Sequence, residues 1–331
     1  MIKRTIQAIR VHHYGGPEVL QLEQISCPEP GAGEVLVRVH AAGVLPADCA
    51  TRQGIFIKKT FPYIPGSAFA GVIEEVGPGV TDWKVGQAVC GRASNGTSTQ
   101  YTTVIVDERQ NSAINLLTPK PETLTFDEAA TLSAGATTAW TALLEDGGLQ
   151  AGQRVLIHGA AGGVGLFAVQ FARWKGAQVF ATTSTANVDF VRSLGAETVI
   201  DYTTTPFEEM VHDVDLVLDT IGGETLLRSM KLVRRGGTLV SIYEPPLAEL
   251  AEQLGIRAGM NHTIPKSEHL RKVTQLIDEG HARPTIRRVF ALHEARKAHE
   301  LCETGHGRGR IVLHIADEAD RSLSRGSSSS G

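Results

Sequence analysis

Chemistry first becomes legible at the turn Ala160-x-Gly162-x-x-Gly165. An apolar run, Val155–Ile157, precedes it, and Leu166, Phe167, Val169 and Phe171 follow at helical spacing. A strand, a glycine-rich turn and a helix start together aim unpaired N–H groups and a positive dipole end at one point. That arrangement suits a pyrophosphate. The first glycine of the usual fingerprint is Ala160 here, so the flanking strand and helix carry the inference. The backbone of Ala161, Gly162, Gly163 and Val164 then supplies the phosphate contacts. The bland alternative is a tight turn without a ligand.

Two further groups suit the far ends of a bound dinucleotide. A site for NAD usually carries Asp or Glu about 20 residues after the glycine turn. The stretch Phe180–Asn187 has no acid there, and the Thr183 and Ser184 hydroxyls can donate to a 2′-phosphate, which favours NADPH. A Thr/Ser-rich loop that binds nothing is the alternative. At the reacting end, Tyr63 and Tyr243 can each donate a hydrogen bond to a carbonyl oxygen. Tyr243 falls at the end of the fifth strand of the series below, whereas Tyr63 equally suits packing at a strand start.

These residues need a scaffold. From residue 1 to about 124, short alternating runs are separated by Gly and Pro. They include Val19–Ile25, Glu34–His40, Gly71–Val76, Val85–Cys90 and Tyr101–Val106, and read as a mostly antiparallel, partly barrel-like β domain. The period changes at Phe126, with Thr125 placed as an N-cap. Strands at Arg154–Ile157, Gln178–Thr182, Thr198–Tyr202, Asp215–Asp219, Thr238–Ile242 and Ile256–Met260 then alternate with helical stretches. That pattern predicts a doubly wound parallel sheet. Helices over His269–Glu279 and Leu292–Cys302 lead to a last strand, Arg310–His314. A last strand must join a sheet. Placing it in the β domain makes the nucleotide domain an insertion: 1–124 and 263–316 flank 125–262, with 317–331 a disordered tail or expression remnant.

Composition narrows the classes. The 331 residues are 42% hydrophobic and 21% charged, with a net charge of −4. No basic stripe points to nucleic acid. No apolar run approaches the roughly 18 residues that span a bilayer, and the first residues lack the apolar core of a secretion signal. Four scattered cysteines, Cys27, Cys49, Cys90 and Cys302, form no C-x-x-C pair, which fits a reducing compartment such as the cytoplasm.

Several blocks, in order, carry a resemblance over nearly the whole chain: Tyr14–Leu20, Pro30–Arg38, Ala41–Asp48, Pro65–Gly71, Ala160–Gly165, Asp219–Gly223 and Gly307–Leu313. The chain resembles the medium-chain dehydrogenase/reductase superfamily in its zinc-free quinone oxidoreductase branch. The resemblance implies a GroES-like catalytic domain split around a Rossmann domain, with the active site in the cleft and a homodimer formed through edge strands near Ile256–Met260. It places Thr138 by the nicotinamide, and Ile221, Gly222, Ile242 and Tyr243 at the carboxyl edge of the sheet. It puts Arg308 or Arg310 near the adenosine end, where either residue, or the Tyr202 hydroxyl, could complete a 2′-phosphate site. It adds Asp48 as a catalytic candidate, with a cap role as the alternative. Helix capping or core packing is likewise open for Thr138.

Zinc-dependent members place Cys where this chain has Leu45 and His-Glu where it has Ser67-Ala68. Leu45 and Ala68 cannot ligate, and a catalytic zinc needs about three protein ligands. Without a Lewis acid, reduction of an already electrophilic quinone or α,β-unsaturated carbonyl is favoured over alcohol dehydrogenation. Leu45, Ala50 and Phe56 stand where relatives often have Asn or Tyr, which makes the pocket more apolar and leaves solvent as an alternative proton donor. Two other readings stay open. One is an enoyl-thioester reductase, for which Lys58-Lys59 or Arg287-Arg288 would form a basic entrance. The other is an NADPH-binding protein with little turnover.

Overall fold

The computed structural model describes residues 4–107, 115–305 and 307–316. The 317–331 tail therefore lies outside the described residues. The chain begins with β1 (Thr5–Arg10), β2 (Gln21–Ser26), β3 (Glu34–Val44), helix α1 (Pro46–Arg52), β4 (Ala68–Val76), β5 (Ala88–Arg92), β6 (Tyr101–Ile105) and β7 (Leu116–Pro119). Helices α2 (Phe126–Ala129) and α3 (Leu132–Trp140) follow. Thr125 caps α2 as expected: its hydroxyl accepts from the Glu128 N–H at 3.2 Å, and the Glu128 carboxylate accepts from the Thr125 N–H at 2.9 Å.

Strands and helices then alternate: β8 (Arg154–Ile157), α4 (Gly165–Trp174), β9 (Gln178–Thr183), α5 (Val188–Ser193), β10 (Thr198–Asp201), β11 (Val214–Asp219), α6 (Gly223–Met230), β12 (Val233–Ser241), α7 (Ala248–Leu254) and β13 (Arg257–Met260). The chain finishes with α8 (Ser267–Asp278), β14 (Ile286–Ala291), α9 (Ala295–Glu303) and β15 (Arg310–His314).

Among the described residues, the second series forms one six-stranded sheet in the order β10-β9-β8-β11-β12-β13, parallel throughout. Strand β8 shows why it is buried on both faces. Val155 and Ile157 join the cluster with Leu166, Phe167 and Phe171 of α4, while Leu156 packs oppositely with Phe180, Leu226 and Met230. Winding outward from β8 in both directions makes the β8/β11 junction the topological switch point, outside whose carboxyl ends such sheets hold ligands.

The β domain is a sheet in the order β14-β15-β3-β4-β5-β7, with β6 on β3, and a separate β1-β2 hairpin-like pair. Strand β15 pairs antiparallel with β3, Ile311 opposite Val44, so the end of the chain returns to the sheet in which it began. The α/β architecture is therefore a Rossmann sheet inserted in a mostly β domain. The sequence reading missed β14. Its Arg287-Arg288 pair masks the alternation, and only its parallel pairing with β15 reveals it as a strand. No helix among the described residues is long and apolar enough to cross a membrane.

Candidate active site

The glycine turn has the form a pyrophosphate requires. Gly162 N–H turns back onto the Gly159 carbonyl at 2.9 Å. The N–H groups of Gly163 and Val164, just ahead of α4, donate to no carbonyl among the described residues. Gly165 must lack a side chain, because a Cβ there would overlap the Gly159 carbonyl and the Ala160 Cα. Below the turn, His158 is locked. Ser229 Oγ donates to the Thr225 carbonyl, so His158 Nε2–H donates to Ser229 Oγ at 2.8 Å, and Nδ1 accepts from Thr182 Oγ1 at 2.9 Å. Burial drives the His158 pKa down to about 3, so the ring is a neutral strut.

Arg310 requires a correction. It lies over the glycine turn and not at the adenosine end: a Cβ on Gly163 or Gly135 would overlap its guanidinium. Gly309 N–H donates to the Ala161 carbonyl at 3.0 Å, which pins the start of β15 to the turn. Arg310 is buried, its Nε has no partner among the described residues, and burial lowers its pKa to about 10. A buried guanidinium with an unused donor beside free N–H groups fits a pyrophosphate.

At the adenosine end, Thr183 is buried at the tip of β9, and Ser184 is half-buried with its Oγ accepting from Asn187 Nδ2 at 3.2 Å. Tyr202 is 56% exposed, and its N–H donates to the Thr183 carbonyl. Arg308 reaches the same region, its guanidinium 5.3 Å from the Phe190 ring centre. Strand pairing also brings in an acid that no count along β9 could find: Asp201 of β10 is opposite Thr183. Hydrogen bonds from Thr185 and Thr203 hold its carboxyl below the usual range. It therefore stays ionised, accepting from Thr203 Oγ1 at 2.7 Å.

At the switch point, Asp219 organises the edge. Fully buried, it accepts from the N–H groups of Ile221 (3.3 Å) and Gly222 (3.0 Å) and from Ser241 Oγ (3.2 Å), and its carbonyl accepts from the Ile242 N–H. Burial raises its pKa. Sequence reasoning missed it, although a lone acid closing an apolar strand before Thr-Ile-Gly-Gly was a signal. Strand β12 stops at Ser241, so Tyr243 does not end it. Tyr243 sits in the following turn, 71% exposed, its ring over Gly222, where φ is +82° and a Cβ would come within 2.6 Å of the ring. Thr138 is half-buried on α3, the helix that packs beside α4.

Asp48 and Tyr63 lie within Coulombic reach of each other. Asp48 Oδ2 accepts from the Leu45 N–H at 2.9 Å, which closes the start of α1. Burial raises its pKa to about 6, against the pull of Arg92, Arg310 and Lys59. Tyr63 bridges Val11 through its backbone, and its buried hydroxyl has no partner among the described residues. Burial pushes that hydroxyl to about 12, so it stays a donor. Leu45 is buried beneath, while Ile55 and Phe56 form an exposed apolar lip. Among the described residues, no three His, Cys, Asp or Glu side chains gather as a metal site.

A Rossmann sheet with a glycine cradle, tied by Arg310 to a β domain that holds Asp48 and Tyr63, defines a nucleotide-dependent oxidoreductase. Residues 31–113 match the alcohol dehydrogenase GroES-like domain, and residues 194–313 match a family described as zinc-binding dehydrogenase. The chain is 32% identical to a quinone oxidoreductase of Rattus norvegicus over 94% of this chain and 98% of that one. It is 31% identical to a 2-methylene-furan-3-one reductase of Solanum lycopersicum over 91% and 77%. The structure of Escherichia coli quinone oxidoreductase complexed with NADPH overlays with a TM-score of 0.83 at 26% identity, covering 93% and 99%. The chain belongs to the zinc-free quinone oxidoreductase branch of the medium-chain dehydrogenase/reductase superfamily. It is an oxidoreductase that uses a nicotinamide cofactor.

Proposed function

We propose that this protein catalyses NADPH-dependent reduction of quinones or α,β-unsaturated carbonyls without zinc. One observation carries the reading. Arg310 rests on the glycine turn and at the same time lies within Coulombic reach of Asp48, so one side chain links the pyrophosphate cradle to the acceptor pocket. The reduced nicotinamide, when bound, supplies the hydride. The chain supplies position and charge. Gly162, Gly163, Val164 and Arg310 hold the pyrophosphate, with the Ala161 carbonyl fixing β15 to the turn. Thr138, Ile221, Gly222, Ile242 and Tyr243 border the nicotinamide half. Tyr63 or Tyr243 donates to the acceptor oxygen as negative charge develops there, and Asp48 shapes α1 and the local field. The α-carbon of an enone takes its proton from one of these groups or from water.

Thr183, Ser184, Tyr202 and Arg308 form the 2′-phosphate site. Arg308→Ala should lower the NADPH-over-NADH preference in kcat/KM by about tenfold, in the range for losing a charge-assisted hydrogen bond. A ratio unchanged by the substitution would remove Arg308 from the site. The reading as a whole is tested by cofactor oxidation followed at about 340 nm, with NADPH and NADH each offered a simple quinone and an enal. Turnover with NADPH supports it. Tight NADPH binding with no acceptor reduced would favour a binding protein.

The protein is further proposed to be a cytoplasmic homodimer. All four cysteines are free thiols, and β13 is an edge strand that would otherwise stay open. Sedimentation at micromolar concentration should give twice the chain mass, and Gly259→Pro in β13 should shift it to the monomer; a wild-type monomer would refute the dimer.

A further inference from the structure

Beside Tyr63 lies a notch of about 390 Å³ lined by Arg10, Lys59, Pro62, Tyr63, Ile64, Ser94 and Asn95. Its makeup differs from the apolar lip at Ile55 and Phe56. Two cationic side chains border it, with neutral donors between them. The Val11–Tyr63 bridge sets Arg10, at the end of β1, next to the 59–64 loop. Arg10 Nε and the Tyr63 hydroxyl are both buried without a partner among the described residues. Leaving such donors unmet in the folded protein is unfavourable, and an acceptor bound there would satisfy them. Lys59 Nζ stands 5.9 Å from the Tyr63 ring centre and belongs to no ion pair among the described residues. Arg92, two residues before Ser94, does not line the notch; it is mostly buried, and its Nε has no partner among the described residues. Asp48 lies within Coulombic reach of Lys59 and Arg92, and its Oδ2 already accepts from the Leu45 N–H. The notch is a cluster of unmet donors with excess positive charge, opening beside the proposed acceptor pocket.

We propose that this notch binds a carboxylate on the acceptor, so that the preferred substrates are anionic enones or quinones, such as 4-oxo-2-enoates. This rests on the reductase reading above. The carboxylate accepts from Arg10, Lys59 and Tyr63, which leaves Tyr243 as the donor to the carbonyl oxygen, and so holds the conjugated system at the pocket mouth. Reduction then adds hydride to the carbon β to the ketone and a proton to the α-carbon, giving the saturated 4-oxoacid.

The test compares (E)-4-oxo-2-pentenoate with its methyl ester, the same enone with and without the charge. In the intact protein with NADPH, the acid should exceed the ester in kcat/KM by about tenfold or more, as one or two charge-assisted hydrogen bonds allow. Arg10→Gln and Lys59→Met, made separately, should each bring the acid-to-ester ratio towards one, mainly through KM of the acid. Equal use of acid and ester by the wild type, or a ratio untouched by both substitutions, overturns the proposal. Calorimetric binding of the unreactive 4-oxopentanoate and its methyl ester separates the two readings. Acid-specific binding that is lost in the variants, with no turnover of any acceptor, keeps the notch and rejects the reductase. Turnover of neutral enones without acid-specific binding does the reverse.

Discussion

Gly163→Val is expected to weaken NADPH binding by about a hundredfold or more, about 2.8 kcal/mol. The new side chain would enter the space of the Arg310 guanidinium, which is itself buried and cannot swing to solvent. Two losses coincide. The turn carrying the free Gly163 and Val164 N–H groups must shift, and the one buried cation on the cradle is displaced. The effect should fall on affinity, read by nicotinamide fluorescence titration, while the far-ultraviolet circular dichroism of the sheet is retained. Gly148→Val is the matched control, since nothing lies within 4 Å of a Cβ there, although its φ of +62° adds a local strain. If Gly163→Val binds NADPH as the wild type does, the glycine turn is not the phosphate site.

Acid should unfold the protein earlier than its modest net charge suggests. His158 and His299 are buried and neutral, each with its pKa pushed down to about 3 by burial. The unfolded chain takes up those two protons near the ordinary histidine value of about 6.5, and the native state does not. Their contribution is fully present above that value and is lost as pH falls from it towards 3. Asp48 acts oppositely. Its native pKa of about 6 lies above the unfolded value, so the native state gains a proton first and recovers some stability between pH 6 and 4. At pH 5 the two histidines cost about 4 kcal/mol and Asp48 returns about 1.4, a net loss of roughly 2–3 kcal/mol relative to pH 7. Urea midpoints across this range should show the slope, and His158→Gln should flatten it by removing one of the two protons. A flat profile would mean that the rings are protonated in the native state.

The fold was largely legible because its signals are local. Val155–Ile157 followed by the glycine turn and α4 is a contiguous pattern, and so are the apolar runs that became β9, β11 and β12. Arg310–His314 had to find a sheet, and it pairs with β3. What escaped reading is tertiary. Asp201 became relevant at the adenosine end only because β10 pairs with β9, and Arg310 reaches the glycine turn only because Gly309 bonds to Ala161. His158 directly follows β8, and Thr182 and Ser229, from two other elements, make it a strut. Arg10 and Lys59 are 49 positions apart and meet through the single Val11–Tyr63 bridge. No periodicity within either segment encodes that meeting.

Transfer of label is the most direct test of hydride delivery in this site. NADPH carrying deuterium at the transferable C4 position would be oxidised by the protein with an enal or with 4-oxo-2-pentenoate, and the product examined by NMR. Deuterium at the carbon β to the ketone or aldehyde, with a solvent-derived hydrogen at the α-carbon, is the expected result. Reduced product with no deuterium at that carbon, or no product while NADPH is bound, would contradict direct hydride reduction as the function of this site.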